Sequence, residues 1–328
     1  MNRAVLVTGD AGYIGSHTVA HLIKAREKVV ILDNLSRGYR SLIHPMAIFV
    51  EGDTRNTKLA EKIMREHKIA SILHFAAFTS VAESVTSPEV YYDNNFGGTV
   101  SLLEAAKDSG VRRFVFSSTA AVYSDPGQAK VLETSQTRPP TAYGQSKLMS
   151  EEVIRDVSAA HGMDFVLFRY FNVAGASLSG EYGQFGDNHG ALVKRAALAA
   201  VGKVPRLEIF GTDYSTVDGT AVRDYIHVED LADLHVRALG YLQKGGASDL
   251  FNCGYSSGFS VRQVINAMKG VSGVDFEVVE SPRRPGDLAQ VVAETGKLQA
   301  AFQWKPQHQD LEFICRSAYL WEKRQLQG

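Results

Sequence analysis

Ala4-Val5-Leu6-Val7-Thr8-Gly9-Asp10-Ala11-Gly12-Tyr13-Ile14-Gly15-Ser16-His17-Thr18 decides how the first half of the chain is read. Ala4 to Thr8 is short, apolar and rich in valine, as a strand buried on both faces must be. It runs into glycine. Val19, Leu22 and Ile23 then mark one face of a helix, and Val29-Val30-Ile31-Leu32 reads as a second buried strand ending at Asp33. Strand, glycine turn, helix, strand and acid, in that order, make a dinucleotide-binding unit. Gly9 permits the tight turn, Gly12 lets a pyrophosphate approach the backbone, and Gly15 lets helix and strand pack closely. The helix N-terminus faces the phosphates with unpaired N–H groups and its positive dipole end. Asp33 can accept hydrogen bonds from the adenosine ribose and disfavours a 2′-phosphate, which points to NAD rather than NADP. The spacing G-x-x-G-x-x-G is one residue longer at its start than the commonest fingerprint.

The alternation continues. Ala47 to Val50 reads as a strand leading to Asp53, which suits either an adenine amino contact or a plain turn. A helix is expected from Lys58 to His67. The strand Ser71 to Phe75 runs into Ala76 and Ala77, small enough to admit a cofactor; His74 reads as a core residue. Tyr91-Tyr92-Asp93-Asn94-Asn95 opens an apolar helix through Ala106, with Asn94 either reaching the cofactor or capping the helix. Arg113 to Phe116 is a strand ending in Ser117-Ser118-Thr119, at the carboxyl edge where doubly wound sheets bind ligands. The fold class is therefore α/β: a modified Rossmann doubly wound parallel sheet, with a smaller C-terminal α/β substrate domain. The expected boundaries are 1–172, rejoined by about 219–242, and 173–328.

Tyr143-Gly144-Gln145-Ser146-Lys147 places a phenol and an ammonium on one helix face. A cation beside a phenol favours the phenolate, and a lowered tyrosine can take a proton from a sugar hydroxyl. Thr119 is placed to bond that hydroxyl. Beyond Arg169-Tyr170-Phe171-Asn172 the strict alternation loosens. Residues 175–190 read as a loop and Leu192 to Val201 as a basic helix. Arginines then recur in Val222-Arg223-Asp224-Tyr225-Ile226-His227-Val228 and in Ser281-Pro282-Arg283-Arg284-Pro285-Gly286-Asp287. Two such clusters suit a diphosphate clamp, because guanidinium grips phosphate oxygens in a fork.

Totals narrow the choice. The chain has 328 residues, 45% of them hydrophobic, and a formal net charge of -1, so no broad basic field invites nucleic acid. No apolar run suits a membrane span. Two cysteines, Cys253 and Cys315, are too few for a disulfide framework and suggest a reducing, cytoplasmic setting. No metal site is assigned.

These motifs together resemble the extended short-chain dehydrogenase/reductase family, and within it the UDP-glucose (UDP-galactose) 4-epimerases. The resemblance covers nearly the whole chain and is carried by Val7 to Thr18, Leu32-Asp33-Asn34-Leu35, Tyr91 to Asn95, Phe116 to Thr119, Ala142 to Lys147, Arg169 to Asn172 and Val222 to Val228. It implies tightly held NAD and a homodimer formed through helices near 95–107 and 146–156. It implies Thr119, Tyr143 and Lys147 as the catalytic group. NAD would be held by Gly9, Gly12, Tyr13, Ile14, Gly15, Asp33, Asn34, Asp53, Phe75, Ala76, Ala77, Asn94, Ser117 and Tyr170. The UDP-sugar would meet Thr119, Tyr143, Asn172, Phe210, Arg223, Arg284 and Asp287, with Val291 bordering the sugar. The implied reaction inverts C4 of a UDP-sugar through a 4-keto intermediate.

The chain departs from that pattern at Thr79, where relatives carry lysine, and at Ala191 and Lys194, where they carry Asn or His and then proline. Ala120 and Ala121 stand where the related 4,6-dehydratases need Asp and Glu after the threonine, which excludes dehydration. A reductase that releases NAD(H) at each turn would lose its cofactor on gel filtration. A non-catalytic sensor would not need the Thr-Tyr-Lys set. UDP-N-acetylhexosamine and UDP-pentose remain alternative substrates to UDP-glucose.

Overall fold

The computed structural model describes residues 4–124, 130–186, 190–284 and 286–326. Residues 187–189 of the expected 175–190 loop, and Pro285 of the second arginine segment, lie outside the described residues. In chain order the elements begin β1 (Ala4–Thr8), α1 (Tyr13–Lys24), β2 (Val29–Asp33), β3 (Ile48–Glu51), α2 (Thr57–Glu66), β4 (Ile69–His74), α3 (Val81–Thr86), α4 (Pro88–Tyr91), α5 (Gly98–Asp108), β5 (Arg113–Thr119), α6 (Ala142–His161) and β6 (Asp164–Tyr170). They continue β7 (Asn172–Ala174), α7 (Leu192–Ala200), β8 (Arg206–Phe210), β9 (Val222–His227), α8 (Val228–Gln243), β10 (Asp249–Cys253), β11 (Gly258–Ser260), α9 (Val261–Ser272), β12 (Glu277–Ser281), β13 (Gln290–Val291), α10 (Gly296–Phe302) and α11 (Leu311–Arg324).

Two compact units emerge. One comprises Met1–Ser124, Gln136–Tyr170 and Ala232–Phe251; the other Asp125–Ser135, Phe171–Leu231 and Asn252–Gly328. Against the expected division, 1–172 rejoined by about 219–242, the return in these units falls at 232–251, and 130–135 groups with the second unit. The physical reason for the later return is β10. Its pairing with β6 closes one edge of the sheet, and its short run at 249–253 gave no alternating pattern to read.

The first unit is built on a seven-stranded sheet ordered β10-β6-β5-β4-β1-β2-β3. Every residue of β1, β2 and β4 is buried, which is why these strands read as unbroken apolar runs rather than alternating ones. The register pairs Val7 with Ile31 and Leu73, so the β1, β2 and β4 ends line up at Thr8, Leu32 and His74. Leu6, Val30, Ile63, Ile72, Leu102, Phe114, Phe116 and Leu167 pack one continuous core against α2, α5 and α6. The helical stretch expected to open at Tyr91 instead begins at Pro88, where proline suits the first helical position, and passes through a π-helical turn, Tyr92–Gly97, into α5. Asn94 therefore sits inside the helical stretch and caps nothing.

The second unit pairs β9 with β11, β13 and β7, and β8 with β12. Cys253 and Cys315 are both buried within it, and neither is in a disulfide. Among the described residues no helix is long and apolar enough to cross a membrane.

Candidate active site

In the first unit, the carboxyl ends of β1, β2, β4 and β5 gather the candidate cofactor residues. Gly9 has φ +77°, and a Cβ there would stand 2.4 Å from the Ala76 backbone nitrogen; one on Gly15 would stand 2.4 Å from the Gly9 carbonyl oxygen. Glycine is needed at both positions, since the turn presses directly on the β4 end. Helix α1 has no side-chain cap at Gly12 and no acid in its first turn, so its N-terminal N–H groups remain available to an anion. Asp33 receives bonds from the Ala11 and Leu35 amides at 3.1 and 2.8 Å, which hold both carboxyl oxygens at the turn. Asn34 donates to Asp53 at 2.9 Å, and Asp53 also pairs with Arg55 at 2.7 Å, which holds its carboxyl far below the usual range. Of the two readings of Asp53, an adenine contact or a plain turn acid, the turn is seen: Asp53 accepts from the Arg55 amide at 2.9 Å and anchors a small ion cluster in which Arg55 also meets Asp93. Phe75, Ala76 and Ala77 are half-buried beyond β4. These features fit a dinucleotide: a cradle only glycine can line, an uncapped helix start, and an oriented carboxylate.

Asp10, a mere spacer in the sequence reading, is fully buried, and neither of its carboxyl oxygens has a hydrogen-bond partner. Burial and the charge of Asp33 push it well above the ordinary carboxylate value. His74 is a core residue as expected. Its two ring nitrogens meet the Thr8 and Thr99 hydroxyls at 2.6 and 3.1 Å.

Helix α6 starts at Thr141, whose hydroxyl caps the Gly144 amide. Tyr143 and Lys147 follow on one face, and Glu151 continues that face for another turn. The Lys147 ammonium lies 4.3 Å over the Phe116 ring, and burial draws its pKa down to about 7 although the Glu151 charge opposes this. Tyr143 bonds the Thr119 hydroxyl, which lowers its pKa, but burial outweighs that bond and the net direction is upward. This corrects the expectation that Lys147 leaves the phenol depressed. In the protein by itself, the cost of charging a phenol away from water exceeds what the Thr119 bond returns.

Two supporting groups escaped the sequence reading. Glu151 is fully buried, accepts from Ser118 at 2.5 Å, and pairs with Arg169 through bonds of 2.9 and 2.6 Å. Its spacing, four residues past Lys147, was the available signal. Asn95 is buried, bonds both backbone groups of Phe78 at 2.8 and 3.0 Å, and reaches Ser146 on α6 at 3.2 Å. It ties the segment beyond β4 to the helix carrying Tyr143. Asn94 donates to Asn95 at 2.9 Å. Ser117 is half-buried on β5, and the Tyr170 hydroxyl is bonded to His235.

In the second unit the separated arginine segments converge. Arg223 lies 3.6 Å from Asp287 and donates to the Leu288 carbonyl at 2.8 Å. Val291 pairs with Arg223 across β13 and β9, and Asn172 pairs with Tyr225 two residues farther along β9. Arg284 stacks on the Phe210 ring, its guanidinium carbon 3.7 Å from the centroid. Val291 is half-buried, whereas Val292 and Ala293 enter the core. Of the departures, Thr79 is exposed, and Lys194 is buried, bonding Glu322 and, at 2.6 Å, the Gln184 carbonyl. Lys194 thus ties α7 to α11.

The sequence profile described as the NAD dependent epimerase/dehydratase family matches residues 5–254. The UDP-glucose 4-epimerase of Azospirillum brasilense is 47% identical over 319 residues, spanning 97% of this chain and 92% of that protein. Among solved structures, a UDP-glucose 4-epimerase from Stenotrophomonas maltophila, crystallised with NAD and formylated UDP-arabinopyranose, superposes with a TM-score of 0.96 at 38% identity over 99% of each chain. The UDP-Glc/GlcNAc 4-epimerase of Campylobacter jejuni superposes with a TM-score of 0.87 at 44% identity, over 98% of this chain and 99% of that one. With the glycine cradle, Asp33 and the Thr119–Tyr143–Lys147 group already in view, these likenesses show that the chain belongs to the NAD-dependent epimerase/dehydratase family, alongside its UDP-glucose 4-epimerases.

Proposed function

We propose that the chain interconverts UDP-glucose and UDP-galactose by inverting C4 of the hexose. The observation that carries the reading is Tyr143 bonded to Thr119, one helical turn from a desolvated Lys147, in the unit that carries the glycine cradle. The chemistry that bound NAD would supply here is reversible uptake of a hydride from C4. Tyr143 takes the proton of the 4-hydroxyl and later gives it back to the same oxygen. Thr119 orients that hydroxyl. Lys147 holds the nicotinamide ribose and contributes positive charge beside the phenol. Gly9, Gly12, Tyr13, Ile14 and Gly15 hold the pyrophosphate, and Asp33 and Asn34 the adenosine ribose. Asn172, Arg223 and Arg284 hold the UDP diphosphate, which keeps the nucleotide fixed while the 4-keto sugar turns over. Asp287, 3.6 Å from Arg223, keeps it oriented.

Incubating the protein with UDP-galactose, without added cofactor, and separating the products tests this directly. UDP-glucose must accumulate to equilibrium, and nucleotide freed by denaturation must be NAD; strict dependence on added NADP overturns the reading. A second reading, activity on UDP-N-acetylglucosamine as well, is favoured by Val291, which is half-buried in register with Arg223 rather than sunk in the core. Packed sites tolerate little extra volume, and valine leaves room for an acetamide. The enzyme works in the cytoplasm as a homodimer through helices near 95–107 and 146–156. The exposed Val100 on α5 supports that face, and light scattering checks it.

A further inference from the structure

Tyr214 lies in the turn between β8 and β9 and was not singled out by the sequence. The turn is well tied down. The Tyr214 amide donates to the Gly219 carbonyl at 2.9 Å, its carbonyl accepts from the Thr216 amide at 2.8 Å, and the Thr216 hydroxyl reaches the Thr220 carbonyl at 2.7 Å. The side chain is only 5% exposed, yet its hydroxyl oxygen is buried with no hydrogen-bond partner. Leaving a buried hydroxyl unpaired costs about 1–3 kcal/mol, so such groups call for an explanation.

Its surroundings supply one. Arg283 covers one face of the ring, 4.1 Å from its centroid, and is itself fixed to Asp213 at 2.7 Å. The edge that carries the hydroxyl presses on Gly211: a Cβ there would meet Tyr214 Cε2 at 2.6 Å and Cζ at 3.2 Å. Gly211 has φ +83° and directly follows Phe210, on which Arg284 stacks. Arg223, Arg283 and Asp287 all act electrostatically on the phenol, and burial, the largest influence, keeps it protonated at neutral pH. A neutral donor thus stands, without an acceptor, beside Arg283 and within electrostatic reach of Arg223, which is assigned above to the diphosphate.

Resting on the nucleotide-sugar reading, we propose that Tyr214 is a further substrate-binding residue, whose phenol donates a hydrogen bond to a phosphate oxygen of the bound nucleoside diphosphate. A rigid turn, closed by Gly219 and packed on Gly211, then presents the donor without a change of rotamer. Tyr214 belongs with Arg223 in gripping the part of the substrate that does not react. Such a bond is made equally in the ground state and the transition state, so its loss raises KM and spares kcat.

The test is Tyr214→Phe in the NAD-loaded enzyme, which removes one oxygen and keeps the ring between Arg283 and Gly211. UDP affinity is measured by titration calorimetry, uridine affinity by competition with UDP, and thermal stability without nucleotide. A hydrogen bond to a charged acceptor corresponds to roughly a 10–100-fold weakening of UDP binding. KM for UDP-galactose rises in parallel with kcat held within about twofold, uridine binding is unchanged, and the melting temperature does not fall, because no bond within the free protein is lost. Equal UDP affinity in parent and variant overturns the proposal, as does an equal loss for uridine or a marked drop in stability. A parent that fails to bind UDP at all overturns the nucleotide-sugar reading itself, and this proposal with it.

Discussion

Replacing Lys147 with methionine is expected to make the cofactor-free protein more stable while destroying its activity. The side chain is 3% exposed, and burial draws the ammonium from its ordinary 10.5 to about 7. At about 1.4 kcal/mol per pH unit, that displacement corresponds to roughly 5 kcal/mol of destabilisation when the lysine is charged in both folded and unfolded chains. Methionine keeps the volume and forgoes the contact of the charge with Phe116, worth about 0.5–2 kcal/mol, so a net gain of roughly 3–4 kcal/mol is expected. The sign follows from proton uptake. Below pH 7 both states hold the proton and the penalty is complete. Between pH 7 and 10.5 the unfolded chain still holds a proton that the folded one has released, so the parent gains stability as pH rises and the advantage of the variant shrinks. Urea unfolding of parent and Lys147→Met, both freed of NAD, at pH 6, 8 and 10 measures the difference. A variant less stable than the parent at pH 6, or a difference that does not change with pH, would refute the reasoning.

Tyr143→Phe should lower turnover by about 10²–10⁴-fold while NAD and UDP binding persist, measured by product separation and calorimetry; near-parent turnover would remove Tyr143 as the base. Glu151→Gln leaves the Arg169 guanidinium buried without its carboxylate and should cost about 3–5 kcal/mol in urea unfolding, and adding Arg169→Met should recover part of the loss; a neutral single variant would contradict the pairing. Asp10→Ala should stabilise the protein by about 1–3 kcal/mol at pH 8. Because the folded-state value is raised, the parent loses stability as pH rises above the ordinary 3.8, so the advantage should fade toward pH 4. Val291→Tyr should remove activity on UDP-N-acetylglucosamine and spare UDP-glucose; equal loss on both, or a parent inactive on the acetylated sugar, would count against a pocket at Val291.

What the sequence disclosed, and what it withheld, follows from the range of the interactions. The buried strands and the glycine turn are local signals: a β-branched run has one stable place in a parallel sheet, and the crowding of Gly9 against Ala76 leaves no room for another residue. Tyr143 and Lys147 were legible because a helix fixes what four residues means in space. The withheld parts depend on residues distant in the chain. Nothing near Arg169 announces that Glu151 will be its partner, nothing near Asn95 announces Phe78, and β10 joins the sheet only because β6 lacks a neighbour on that side.

The tyrosine shows the deeper reason why motif and mechanism are separate readings. Spacing placed a cation near the phenol, and the usual inference is a depressed pKa. The structure sets burial against it, and burial wins for both groups: Tyr143 moves up and Lys147 moves down, each toward its neutral form. A protonated phenol beside a lysine that has given up part of its charge is stable but takes a proton from an alcohol only with difficulty. Further positive charge beside the phenol is therefore part of the chemistry. A cationic nicotinamide would supply it, so the same burial that opposes charging the phenol would tie the base to the bound cofactor. A Tyr143 that titrated well below 10 in the NAD-free protein, followed by its ultraviolet ionisation, would break that link, whereas a value that falls only when NAD is added would establish it.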